Sequence, residues 1–139
     1  MARWMALDVG SKSIGVALTD TLNVMASPLT TLARASKSID VCTQVYQLVQ
    51  THGVEKLIVG RPRHLGGESS DVCTQVVEPF VIRLKKVCPV PIVWAEERLS
   101  SKEADQRMVE AGLSQTERLK RRNEFAAAVI LEWYLTESE

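Results

Sequence analysis

ALDVGSKSIGVA, residues 6–17, is the stretch whose reading decides the fold of this chain. An apolar run, Trp4 to Leu7, leads into a single carboxylate, Asp8. Gly10 follows, then the short polar turn Ser11-Lys12-Ser13, then a second apolar run from Ile14 to Leu18. Two apolar runs joined by a short polar turn predict a β-hairpin with an acid planted in its first strand. A lone charge in a strand is costly to bury unless something pairs with it. A hard divalent cation is one such partner. The alternative is an aspartate that caps its own turn. Asp8 sits inside the apolar run rather than at the turn, so the metal reading is preferred.

Outward from the hairpin, strands give way to alternating helices and strands. Residues 23–32 are mixed in character and interrupted by Pro28, with room for a short third strand. Between Ser38 and His52, Val41, Val45, Leu48 and Val49 recur at helical spacing, and Gly53 is placed as a stop. Lys56 to Val59 reads as a short strand buried on both faces. A loop from Gly60 to Glu68 carries three glycines and Pro62. The apolar spacing of Val72, Val76, Phe80 and Leu84 predicts a helix over 71–87, which Pro79 should kink or split. Pro91 to Trp94 predicts another strand, ending in Ala95-Glu96-Glu97-Arg98. Ser100 and Glu103 fit a capping box for a helix running to about Ala111, with Gly112 ending it. Ser114 and Glu117 offer a second cap, and Phe125, Ala126, Val129, Ile130 and Trp133 form the apolar side of a terminal helix. A hairpin followed by alternating helices and strands predicts an α/β fold, a mixed central sheet with helices on its faces.

The totals narrow the class. A length of 139 residues suits one domain, 1–139, with a full core. Hydrophobic content of 45% and charged content of 24% are those of an ordinary globular protein. No apolar run approaches the ~18 residues of a membrane span, and the first residues do not read as a signal peptide. Cys42, Cys73 and Cys88 are odd in number and lack zinc-ligand spacing, which points to buried, reduced thiols and a cytoplasmic setting. The formal net charge is zero, so any basic footprint for a nucleic acid must be local.

Three clusters carry chemistry. In an α/β sheet ligands gather beyond the strand ends, where Asp8 and one of Glu96 and Glu97 could converge. Converging carboxylates repel unless a cation sits between them, and hard oxygen ligands suit Mg²⁺ or Mn²⁺. The plain alternative for the glutamate pair is a solvated strand end. In the loop from Gly60 to Gly67, glycines allow close backbone approach to phosphates, while Arg61, Arg63 and His64 supply charge and donors. A surface loop without a ligand is the alternative there. Lys120-Arg121-Arg122 precedes the last helix and reads either as a solvated basic turn or as a contact for a nucleic-acid backbone. Few aromatics are present for base stacking, which favours backbone contact.

Taken in order, four segments resemble the bacterial YqgF/RuvX family, over roughly Trp4 to Leu135. ALDVGSKSIGVALTD is similar to the family's opening hairpin. IVGRPRHLGG is similar to its glycine-proline loop, with Arg61 where leucine is usual. EERLSS, from Glu96 to Ser101, is similar to its acid-Glu-Arg-Leu-Ser/Thr motif, and NEFAAAVILEWYL to its C-terminal helix. The resemblance implies a ribonuclease H-like fold and a cytoplasmic, metal-dependent nuclease, with Mg²⁺ or Mn²⁺ as cofactor. Its members are assigned to 5′-end maturation of the small-subunit ribosomal RNA precursor and were earlier regarded as Holliday junction resolvases. Precursor ribosomal RNA is therefore the implied partner, branched DNA the second. A catalytically silent RNA-binding assembly factor is a third reading, and the chain is expected as a monomer or weak homodimer with no membrane partner. The family's acids map onto Asp8 and Glu97 as metal ligands and onto position 123, where aspartate is usual and Asn123 stands here. An amide is a neutral ligand and does not replace a carboxylate's charge, so Asn123 is expected as a weaker third group. Lys12, Arg61, Arg63, His64, Arg98, Lys120, Arg121 and Arg122 are the expected nucleic-acid contacts.

Overall fold

The computed structural model describes residues 3–35, 40–62, 73–97 and 100–137. β1 (Arg3–Val9) and β2 (Ser13–Thr19) form the expected antiparallel hairpin, with Asp8 opposite Gly15. β3 (Ala26–Ala33) adds antiparallel to β2 as an edge strand. Pro28 is accommodated at that edge, where an N–H can be spared, and the register shifts beside it between Val16 and Ala17. β4 (Val54–Pro62) and β5 (Ile92–Glu97) lie parallel to β1, giving the order β3-β2-β1-β4-β5.

The helices flank this mixed sheet. α1 (Val41–His52) starts at Asp40, whose carboxylate accepts from the Cys42 N–H at 3.0 Å, and stops at Gly53 in the left-handed region, φ 64°. The expected helix over 71–87 is split: a π-helical turn, Cys73–Val77, leads into α2 (Glu78–Val87), with Pro79 in its first turn, where a missing N–H leaves no helical bond unmade. α3 (Ser100–Glu110) is followed by Gly112 at φ 79°. α4 (Gln115–Glu137) opens on a reciprocal capping box: the Glu117 N–H donates to Ser114 Oγ at 3.2 Å and the Ser114 N–H to Glu117 Oε1 at 3.0 Å. The Ser114 N–H, helped by the Ser114 hydroxyl, also holds the Glu117 carboxyl below its ordinary value.

Two expectations are corrected. Lys120-Arg121-Arg122 is no turn ahead of the last helix but lies within α4, because the Ser114 cap starts that helix upstream of it. Gly60, Arg61 and Pro62 belong to β4 rather than to a loop, because β5 continues through Glu96 and Glu97 and supplies their ladder partners: Gly60 faces Ala95, Arg61 faces Glu96 and Pro62 faces Glu97.

The two sheet faces are packed differently. One carries large residues, among them Leu7, Val16, Leu57 and Val59, under α1 and under Phe80 and Leu84 of α2. The other is lined by Ala6, Ala17 and Ile58 under Ala127, Ala128, Ile130 and Leu131 of α4. Cys42 and Cys88 are buried as expected, and burial pushes both thiols up, which keeps them protonated. Among the described residues no helix is long and apolar enough to cross a membrane.

Candidate functional site

β1, β4 and β5 run parallel, so their C-terminal ends share one edge of the sheet, together with the β1–β2 turn. Trp4 and Ala6 face α4, so strand alternation puts Asp8 on the α4 face as well, half-buried at the end of β1. Its cross-strand partner Gly15 is where α4 touches down. A Cβ on Gly15 would lie 2.0 Å from the carbonyl C and O of Asn123 and 2.5 Å from the Glu124 nitrogen. Only a residue without a side chain lets the helix backbone rest on the strand at this point.

That close approach delivers Asn123 to the turn. Its Nδ2 donates to Ser13 Oγ at 2.6 Å, and a Cβ on Gly10 would come within 3.6 Å of the same nitrogen. The turn is also tied internally and from behind. The Gly10 N–H donates to the Ser13 carbonyl at 2.9 Å, Arg34 Nη1 to the Gly10 carbonyl at 2.9 Å, and the Arg34 N–H to the Lys12 carbonyl at 3.0 Å. Asp8 and Asn123 thus stand one strand apart on the same face, beside a turn that displays Ser11 and Lys12 to solvent.

The register separates the two glutamates. Val93 and Ala95 belong to the α4-side cluster, Ile92 and Trp94 to the other. Position 97 therefore falls on the face of Asp8, and Glu96 on the opposite face, across from Arg61. The Glu97 side chain lies outside the described part of the structure, as do Arg63, His64 and Arg98.

The basic residues divide as well. Arg61 is carried to the α1/α2 face, its guanidinium 4.4 Å from the centre of the Trp94 ring. Arg122 pairs with Asp105 of α3 at 3.0 Å. Arg121 pairs with Glu124 at 3.2 Å, and Glu124, only 6% exposed, also accepts from Thr31 Oγ1 of β3 at 3.1 Å. Glu124 is thereby committed to holding α4 against the edge strand. Lys120 is exposed on α4. Sequence reasoning passed over Glu124 as a structural group, although a charge abutting the apolar FAAAVIL run, three residues after an arginine, is a signal that it is buried and paired. It also missed Arg34, which nothing in the local pattern marks.

The oxygen donors that share the α4 face at this edge are the Asp8 and Glu97 positions and the Asn123 amide. Among the described residues no three His, Cys, Asp or Glu side chains cluster as a metal site. Carboxylate and amide oxygens are hard ligands, and that donor chemistry fits Mg²⁺ or Mn²⁺ better than a softer ion.

Comparison with known proteins agrees with this architecture. A protein from Roseiflexus named "Putative pre-16S rRNA nuclease" is 35% identical over 96% of this chain and 93% of its own length. One of the same name from Moorella thermoacetica is 38% identical over 96% of this chain and 94% of its own. Among solved structures, Thermus thermophilus RuvC in complex with a Holliday junction superimposes with a TM-score of 0.58 at 13% identity, covering 99% of this chain and 96% of that one. The fowlpox virus Holliday junction resolvase gives 0.53 at 10% identity, covering 98% of each. At such identities these two establish the ribonuclease H-like resolvase fold alone. The model of the RuvX family, described as Holliday junction resolvase, matches residues 2–137, and the chain belongs to that family.

Proposed function

We propose that this chain is a divalent-metal-dependent nuclease that matures the 5′ end of the 16S ribosomal RNA precursor in the cytoplasm, as a single nuclease domain over 1–139. The observation that carries the reading is the meeting of Asp8 and Asn123 across Gly15 at the edge where the parallel strands end. Family membership and the names of the full-length relatives favour phosphodiester hydrolysis on RNA.

Asp8 and Glu97 would hold Mg²⁺ or Mn²⁺, with Asn123 as a neutral third ligand. When bound, such an ion supplies an activated water and stabilises the leaving oxygen. Asp8 contributes charge from a half-buried strand end, where Coulomb attraction is stronger than in bulk water. Lys12, on the turn fixed by Arg34 and Asn123, would orient a phosphate. Arg63, His64 and Arg98 would add donors from the neighbouring segments, and Lys120 from the projecting turns of α4.

The test is Mn²⁺-dependent cleavage of precursor RNA and of a four-way DNA junction by the purified protein and by Asp8→Asn, which is nearly isosteric. Cleavage of the RNA that disappears in Asp8→Asn is expected. Cleavage of the junction alone would make the chain a resolvase, which must act as a dimer to cut two strands. RNA binding with no cleavage of either substrate would make it a silent assembly factor.

A further inference from the structure

Behind the site, on the α1/α2 face of the same sheet edge, stand two guanidiniums that the acidic site does not use. Arg34 follows β3 and lies 5.3 Å from the centre of the Phe80 ring. Arg61 is the penultimate residue of β4 and lies 4.4 Å from the centre of the Trp94 ring. Both are half-buried. They sit on opposite sides of β1, with β2 and β1 between their strands, and the strand spacing separates β3 from β4 by roughly 14 Å.

A guanidinium stacked on a ring uses its face and leaves its in-plane N–H donors directed outward. Arg34 spends one of them, on Nη1, in holding the Gly10 carbonyl. Arg61 Nε is buried with no acceptor among the described residues. Neither arginine has a carboxylate partner in an ion pair among those residues, in contrast to Arg121 and Arg122 on α4. Stacking fixes two cations with no carboxylate paired to them among the described residues, and a polyanion is the partner that such an arrangement fits.

We infer that Arg34 and Arg61 form a two-point clamp for backbone phosphates of a single strand, holding the flanks of the bound nucleic acid while Asp8, between them, faces the bond to be cut. The strand crosses the edge of the sheet, with its flanking phosphates on the α1/α2 side and the bond to be cut on the α4 side, where Asp8 stands. The ion-paired arginines of α4 carry less of the load than their number suggests. This inference rests on the nucleic-acid reading above and adds to it which cations make the contact.

The experiment measures binding of a fluorescent single-stranded RNA by the Asp8→Asn protein, which removes cleavage, across a salt series. Arg34→Gln, Arg61→Gln and the double variant are made in that background, with thermal melts alongside. Glutamine keeps an N–H for the Gly10 carbonyl and loses the charge. Each single variant should flatten the slope of log affinity against log salt by about 0.7, and the double by about twice that. Arg34→Lys, which keeps the charge, should retain the parent's slope, and Arg61→Gln alone carries the test if Arg34→Gln melts early. Glutamine variants with the parent's slope would overturn the clamp and leave the nuclease reading standing. A parent protein that binds no RNA at any salt would overturn both.

Discussion

The two faces of the sheet are built on opposite principles. Under α1 and α2 the strands present large side chains, and Phe80 and Leu84 fill the space between layers. Under α4 they present Ala6, Gly15 and Ala17, and the helix answers with Ala126, Ala127 and Ala128, so that its backbone touches β2. A thick layer is stabilised by the amount of apolar surface it removes from water. A thin layer buries less per residue but fixes position, and a short side chain such as Asn123 reaches the β1–β2 turn only because the helix lies this close. Stability and placement of the candidate site are thus divided between the faces.

The division can be broken on the thick side first. Leu84→Ala should remove about 4 kcal/mol by emptying a fully buried site, while molecules that remain folded keep their metal-dependent cleavage. Thermal melts and activity per folded molecule measure the two effects separately.

On the thin side the same pair of measurements should move together. Gly15→Ala places a methyl 2.0 Å from the Asn123 backbone, which α4 can relieve only by lifting off the sheet. A loss of about 3 kcal/mol is expected, at the upper end for overpacking against rigid backbone, and cleavage per folded molecule should fall with it. Retained cleavage in Gly15→Ala would show that the site does not depend on close approach.

Glu124→Gln tests the pin at the other side of the same contact. Thr31 keeps an acceptor, but the ion pair to Arg121 is lost. Because Arg121 is 41% exposed, water screens much of that pair, and a loss of about 1 kcal/mol is expected. Cleavage should decline modestly as α4 loosens from β3, and a variant as stable as the parent would show that packing alone holds the helix.

A similarly small effect is expected at the site itself. Asn123→Asp adds a carboxylate beside Asp8, and without metal the like charges should lower stability by about 1 kcal/mol. Mn²⁺ should reverse that loss and bind more tightly than to the starting protein, since an ion held by the native state alone stabilises it. Melts with and without Mn²⁺, together with calorimetric titration of both proteins, check this. Unchanged metal affinity would remove position 123 from the metal site.

By itself the sequence determined the mixed α/β fold, because its signals are local: alternation and a short turn in the hairpin, helical spacing in α1 and α4, the Ser114–Glu117 cap, and Pro79 as a break in the helical stretch over 71–87. It also singled out Asp8, since a charge inside an apolar run stands out with no knowledge of its neighbours. What only the tertiary structure decided depends on register and on contacts between distant residues. Strand pairing put position 97 rather than 96 on the face of Asp8, and carried Arg61 to the opposite face from a segment that reads as loop. The seating of α4 on Gly15 joined residues far apart in the chain, and the same seating neutralised Arg121 through Glu124. A one-residue change of register reverses every side chain in a strand, and an ion pair cancels a charge that composition still counts. Neither can be read from a pattern along the chain, because both are properties of the packed layers.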